Sequence, residues 1–220
     1  MPNKPLPAKQ ARSRQTLKNL LTATVQILDE KGLAGATIPR IAARAGVTPG
    51  AVYRRFQDKD ALLRTLSLEV MRSAAEHSEK VLTPEAAAGR SLAGLARHMV
   101  RTTLESHRQH AGLLRAIHDF AKSHPNAAFR QSLDELEIRN FRCVARFVLL
   151  RQEEIRHPRP ESAVHFALLL VGLTIREVLL LEAIWPLWRP LLPKDDDALV
   201  GELVRAFLAY LGVERTENGV

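Results

Sequence analysis

The chain has 220 residues, a length that suits one large domain or two small ones and can bury a substantial core. It carries 32 Lys and Arg against 24 Asp and Glu, a formal net charge of +8, and a single cysteine, Cys143. One cysteine excludes an intramolecular disulfide and a cysteine-rich metal site. The opening MPNKPLPAKQARSR has no apolar stretch of the kind a secretory signal needs, so a cytoplasmic protein is expected. The charge is unevenly placed. Residues 1–66 hold 12 basic against 4 acidic side chains, whereas residues 67–220 hold 20 against 20. The excess lies wholly on the N-terminal part, the distribution expected of a surface that meets a polyanion.

In chain order, residues 1–13 are rich in proline and basic side chains and lack periodicity, which predicts a disordered arm. Such an arm can follow a phosphate backbone or enter a minor groove, or it can be a solubilising tail. Leu17, Leu20, Leu21, Val25 and Leu28 recur at helical spacing and predict a helix over 13–31, stopped by Gly32. The run TIPRIAARAGVTPGAVYRRFQDK, Thr37 to Lys59, then reads as two short helices around a tight turn. The Thr37 hydroxyl is expected to cap the first, with Pro39 tolerated in its first turn. Ile38, Ile41, Ala42 and Ala45 form its apolar face. Gly46 supplies a positive φ, and Val47 plugs the angle between the helices. Thr48 caps the second helix with Pro49 at its first position. Val52 and Phe56 point one way; Thr48, Tyr53 and Arg55 are free to point elsewhere. A polar, basic, aromatic-bearing helix after a glycine turn is the recognition half of a helix-turn-helix.

Asp58 is expected to cap a helix carrying Leu62, Leu63, Leu66, Val70 and Ala74 to about Leu82, ended by Thr83-Pro84. Twenty-odd residues span roughly 30 Å, long enough to link two domains. Further helices are predicted over 85–107, 110–123, 126–155 and 161–184. A last one follows Asp195-Asp196-Asp197 and ends at Gly212. The apolar stretch 162–192 is interrupted by Arg176, Glu177, Pro186, Glu182 and Arg189, so no membrane span of roughly 20 residues is expected. A helix over 161–184 that is apolar nearly all round needs cover on both sides, and a second copy of the chain supplies the simplest cover. No strand pattern and no internal repeat is found. The fold expected is all-α, with about nine helices. A three-helix helix-turn-helix domain over 14–66 precedes a larger helical effector-binding and dimerisation domain over 67–220.

The residues Ile27-Leu28, Gly32, Thr37, Ile41-Ala42, Ala45-Gly46-Val47, Gly50, Val52-Tyr53, Phe56, Lys59 and Leu62 carry a family resemblance. Their joint pattern AGVTxGxVYxxFxxK resembles the DNA-binding domain of the TetR family of one-component transcriptional regulators, over about 14–66. Ala36 and Arg55 depart from the family pattern, although Arg55 keeps a phosphate-binding donor. The resemblance implies a repressor that binds a palindromic operator in double-stranded DNA as a homodimer. Helices about 161–184 and 196–212 would pair across the dyad, and an unknown small-molecule effector would release the DNA. No cofactor, metal or membrane partner is expected. Phosphate contacts are expected from Thr37, Tyr53, Arg55 and Lys59, helped by Arg40 and Arg44. Base reading falls to Thr48, Pro49, Gly50 and Ala51, with Arg54 either contacting guanine or facing solvent.

Candidate effector-pocket residues are the polar groups on otherwise apolar helices: His98, Arg115, His118, Asp119, His165, Thr174 and Arg176. Each also reads, and more readily, as a paired or snorkelling side chain. His107-x-x-His110 has helical metal-ligand spacing without close carboxylate or cysteine support beyond Glu105. A redox role for Cys143 competes with a core position. These leave an activator, or a metal- or redox-responsive regulator of the same fold, as alternatives. No phosphate loop, nucleophile elbow, HExxH or glycine-rich cofactor turn is present, so no catalytic residues and no enzyme are expected.

Overall fold

Ten α-helices and two short 3-10 turns make up the regular structure of residues 8–184 and 186–213, the part described by this computed structural model. No β-strand occurs among the described residues. The helices are α1 (Ala8–Gly35), α2 (Ile38–Arg44), α3 (Pro49–Tyr53), α4 (Lys59–Val81) and α5 (Pro84–Ala87). After them come α6 (Leu92–Gln109), α7 (Ala111–Ser123), α8 (Ala127–Leu149), α9 (Pro160–Ile184) and α10 (Asp196–Leu211). They fall into two compact units. One comprises the described residues up to Arg72 together with His110–Glu135; the other comprises Ser73–Gln109 and the described residues from Leu136 onward. The chain passes between them inside α4, between α6 and α7, and inside α8. Residues 110–135 therefore belong with the N-terminal helices rather than with the rest of the 67–220 segment.

The N-terminal unit is built on a core of Leu20, Ile27 and Leu28 from α1, Ile41 from α2, Val52 and Phe56 around α3, and Leu62 and Leu66 from α4. One long and two short helices, α1 to α3, give too little apolar area for a stable core on their own. The deficit is met by α7, whose Leu113, Ala116 and Ile117 join the same cluster. Gly112 allows α7 to approach: a Cβ there would stand 2.2 Å from the Asp29 carbonyl oxygen. One residue on, the Leu113 amide donates to the Asp29 carboxylate at 3.0 Å, capping the helix from outside it. At the other end of α7, His124 is buried, with its Nε2 2.9 Å from an Asp60 carboxylate oxygen. Its Nδ1 faces the Asn126 amide at 3.0 Å and must accept there, so the proton sits on Nε2 and is donated to Asp60. Phe120 and Phe129 stand edge-on to the imidazole at 4.9 Å each.

In the second unit α6, α9 and α10 bury Leu92, Val100, Leu104, Val164, Val171, Ile175, Val204, Phe207 and Leu211 together. The Leu92 amide donates to both carboxylate oxygens of Glu154, at 2.9 and 3.0 Å, which caps α6. Asp195 caps α10 by accepting from the Ala198 amide at 2.8 Å. Asp196 and Asp197 pair with Arg108 and Arg101 at 2.6 and 2.7 Å. Gly212, at φ 69, ends α10 as expected.

Several boundaries differ from the sequence expectation, each for a local reason. Helix α1 begins at Ala8, inside the segment expected to be a disordered arm; residues 1–7 of that arm lie outside the described residues. At its other end α1 does not stop at Gly32 but kinks there, at φ 61 and ψ −169, and continues to Gly35. Thr37 holds the extended N-cap conformation of α2, yet its hydroxyl makes no cap hydrogen bond. The expected helix over 85–107 is two, α5 and α6, separated at Gly89, which adopts φ 71. The helix expected to reach residue 155 stops at Leu149, and the chain turns through Gln152–Glu154 to bring the Glu154 carboxylate to α6. Trp185 lies outside the described residues, and the chain after it forms a 3-10 turn over Pro186–Leu191.

Candidate nucleic-acid interface

The turn between α2 and α3 is set by backbone geometry first. Gly46 takes φ 69, a region costly for any residue with a Cβ. The Val47 amide then donates to the Ala42 carbonyl at 2.9 Å while its side chain packs on the core. The Thr48 hydroxyl accepts from the Ala51 amide at 3.3 Å, which leaves its own proton free to donate outward. Val52, fully buried, and Phe56 anchor α3 to the core. The opposite surface is consequently exposed: Thr48, Pro49 and Gly50 at the start of α3, then Tyr53 and Arg54. Tyr53 is 55% exposed, a costly place for a large aromatic with nothing to contact, and Ala51 is half-buried beside it.

The surrounding cations are arranged less uniformly than their sequence positions suggest. Arg44 forks onto the Glu30 carboxylate at 2.5 and 2.8 Å. The hydrogen bonds from Arg44 hold the Glu30 carboxyl below its ordinary range and raise the guanidinium in return. Its charge is thus largely spent within the protein, and it is the least suited of the set to a phosphate. Arg40 donates to the Gly35 carbonyl at 3.1 Å, and Lys59 to the Leu33 carbonyl at 2.9 Å. Both partners are neutral, so the charges stay uncompensated, and Lys59 keeps two further donors. Arg55 donates to the Ser13 hydroxyl at 2.6 Å, and the Arg54 side chain makes no hydrogen bond or ion pair among the described residues. The result is a surface without acidic side chains, formed by the exposed Thr48, Pro49, Gly50, Tyr53 and Arg54 and the half-buried Arg55, with Thr37 exposed nearby in sequence and its hydroxyl uncommitted.

Residues 20–66, the stretch that forms this surface and its supporting core, match the family model described as bacterial regulatory proteins, tetR family. Over this stretch the chain resembles the TetR family. Among curated relatives, the helix-turn-helix-type transcriptional regulator BetI 1 of Chromohalobacter salexigens is 43% identical over 54 residues. That match covers 24% of this chain and 27% of the relative, so the likeness spans about a quarter of the relatives' length. Among solved structures, a Mesorhizobium loti protein described as a TetR-family transcriptional regulator superposes with a TM-score of 0.68 at 21% identity, over 90% of this chain and 97% of that one. The regulator FadR of Bacillus subtilis, in complex with stearoyl-CoA, gives 0.63 at 16% identity over 88% and 98%. At these identities the structural likeness concerns the fold.

The seven polar residues considered for an effector pocket divide between the units. Arg115, His118 and Asp119 lie on the exposed side of α7, opposite Leu113, Ala116 and Ile117, in the N-terminal unit. His98, His165, Thr174 and Arg176 are exposed in the other unit. His165 stacks at 5.7 Å on Phe141, Thr174 donates to the Leu170 carbonyl of its own helix, and Arg176 pairs with Glu177. A separate groove of about 600 Å³, lined by Arg101, Glu105, Arg108, Arg189, Lys194 and the Asp195–Asp197 run, went unread in the sequence. Its charges belong largely to the braces that join α6 to α10. Among the described residues no group of three or more His, Cys, Asp or Glu gathers as a metal site. His107 Nδ1 lies 2.9 Å from the Thr103 carbonyl oxygen of its own helix. Cys143 is buried, and that burial pushes its thiol above the usual range, unlike a reactive cysteine.

Proposed function

We propose that this chain is a DNA-binding transcriptional regulator, a repressor that binds a palindromic operator as a homodimer and is released by a small-molecule effector. The observation that carries this reading is the exposed, acid-free face of α3 with Tyr53 standing out of it, held rigid by Val52 and Phe56 from behind. In a major groove the Thr48 hydroxyl and the small apolar surface of Pro49, Gly50 and Ala51 read base edges and thymine methyls. Tyr53, Arg55, Lys59, Arg40 and Thr37 bond to phosphates and fix the register. Arg44 contributes only after release from Glu30.

A dyad follows from α9. Phe166, Leu169, Leu170 and Leu173 recur at i, i+3, i+4 and i+7, and each is 46–49% exposed. The Tyr210 ring of α10 lies 5.3 Å from Phe166 and widens the same apolar face. Within α9, Pro160–Leu179 is long and apolar enough to cross a membrane by length and composition, yet it is only partly buried within the chain. Its other face, Val164, Leu168, Val171 and Ile175, is already packed against α6 and α10. A second copy covering the exposed stripe accounts for both faces, with α9 and α10 of each copy forming the seam. Two recognition helices so related reach successive major grooves about 34 Å apart, or a multiple of it. The continuous helix α4 begins beside the DNA-reading residues and ends in the second unit, which makes it the carrier of an effector signal. The B. subtilis FadR complex, a stearoyl-CoA-bound chain of the same fold, supports an effector site of this general kind. A regulator of this type works in the cytoplasm, where its DNA is.

The test is a gel-retardation series on the DNA flanking the chain's own gene. Retardation that survives excess unrelated duplex, and that Tyr53→Ala weakens at least tenfold, is expected. Equal competition by unrelated DNA would refute a sequence-specific regulator.

A further inference from the structure

We propose that the groove between α6 and α10 binds a small zwitterion, an organic molecule that carries an ammonium and a carboxylate on a short apolar body. Both walls belong to the second unit, so the inference does not depend on the DNA-binding reading. The groove measures about 600 Å³, within the range of small-molecule sites. Its floor is apolar, made by the buried Leu104 and Val200. Its charges balance: Arg101, Arg108, Arg189 and Lys194 stand against Glu105, Asp195, Asp196 and Asp197, four of each sign. A lining of no net charge favours neither a plain anion nor a plain cation, and it suits a molecule that carries both signs.

Most of these charges are already committed. The Asp196 carboxylate holds the Arg108 guanidinium at 2.6 Å, and Asp197 holds Arg101 at 2.7 Å, which ties α6 to α10 and fixes both walls. Asp195 accepts from the Ala198 amide at 2.8 Å, and Arg189 donates to the Lys194 carbonyl at 3.0 Å. Two side chains of opposite sign are left over. Glu105 lies at i+4 from Arg101 and i−3 from Arg108, the spacings at which a carboxylate pairs along its own helix, yet both arginines reach across to α10 instead. Lys194 directly precedes the Asp195–Asp197 run and pairs with none of it. Among the described residues neither side chain makes an ion pair or hydrogen bond, to the other or to any third group, and both are exposed. Glu105 is thus an anchor for a ligand's ammonium and Lys194 for its carboxylate, while Leu104 and Val200 meet the apolar chain between them. The braced walls hold these anchors in place before a ligand arrives.

Isothermal titration of the full chain at low salt takes the straight-chain ω-amino acids from γ-aminobutyrate to ω-aminooctanoate as probes, with hexanoate and hexylamine as singly charged controls. Saturable binding with a Kd on the order of 1 mM is expected for the length that spans Glu105 to Lys194, because both anchors are open to water. The controls, and the zwitterion with the variants Glu105→Gln and Lys194→Gln, are each expected to bind about fivefold more weakly. Melting followed by circular dichroism is expected to be the same for both variants as for the wild type, since neither side chain holds a partner within the protein. Absence of saturable heat at every probe length would overturn the proposal. So would a hexanoate or hexylamine affinity equal to that of the best zwitterion, or Gln variants that bind it as the wild type does. The titration uses no DNA, so the site and the DNA-binding reading stand or fall separately.

Discussion

Gly112→Ala is a sensitive probe of how the N-terminal unit is held together. The added Cβ would stand 2.2 Å from the Asp29 carbonyl oxygen, 2.8 Å from its carbonyl carbon and 2.9 Å from its Cα. All three are backbone atoms, which cannot rotate away, so α7 must back off α1 by about 1 Å. Overpacking of this kind costs about 1–3 kcal/mol. The displacement also stretches the 3.0 Å hydrogen bond from the Leu113 amide to Asp29, a cap worth about 1 kcal/mol. Against this, alanine gains up to about 1 kcal/mol of helix propensity over glycine. The net is a loss of about 2 kcal/mol, a fall in melting temperature of roughly 4–8 °C for a chain of this size. Gly201→Ala on α10 is the control, because nothing lies within 4 Å of its Cβ position. That variant should gain about 0.5–1 kcal/mol. Thermal and urea unfolding followed by helix circular dichroism reads both. A Gly112→Ala protein as stable as Gly201→Ala would refute the close approach of α7 to α1.

Leu169→Glu/Leu173→Glu places charges in the exposed stripe of α9 that the proposed dimer buries. Sedimentation should show monomers, and operator binding should fall at least a hundredfold while the helix content holds. The Glu79 carboxyl is held below its ordinary range, chiefly by hydrogen bonds from Arg139 at 2.8 and 2.6 Å, and Glu30 likewise by Arg44. A depressed folded-state value means the stabilisation is complete above the unfolded carboxylate value of about 4.3 and is lost as pH falls through the folded one. Arg139→Met should therefore flatten the decline of the urea midpoint below pH 4 and leave its slope between pH 6 and 8 as it was. Both groups are exposed, so added salt should shrink the effect.

What the sequence disclosed was mostly short-range. The Thr48 cap, the left-handed Gly46, the end of α10 at Gly212, and the burial of Val52 and Phe56 each depend on neighbours within a few residues, and each stands in the structure as expected. The exposed start of α3 was legible for the same reason. The missed features join distant residues through a single polar contact and leave no periodic trace. Glu154 caps α6 from 62 positions away, and Asp29 caps α7 from 84. His124 carried no local signal, yet it is buried against Asp60. Arg44 carried the right spacing for a phosphate contact, and nothing local announced that Glu30 would occupy it. Gly89 was hidden in an alanine-rich run whose propensity favours an unbroken helix. The polar residues of α6, α7 and α9 were ambiguous for a related reason. On a helix whose apolar residues go most of the way round, periodicity does not distinguish a side chain that faces a ligand from one that faces water.

The central claim, that two copies present paired recognition helices to DNA, is tested most directly by hydroxyl-radical footprinting on the fragment that the chain retards. Two protected patches on one face of the duplex, related by a dyad and about 34 Å apart or a multiple of it, are predicted. A single unpaired patch, or no protection at concentrations that saturate the gel shift, would contradict it.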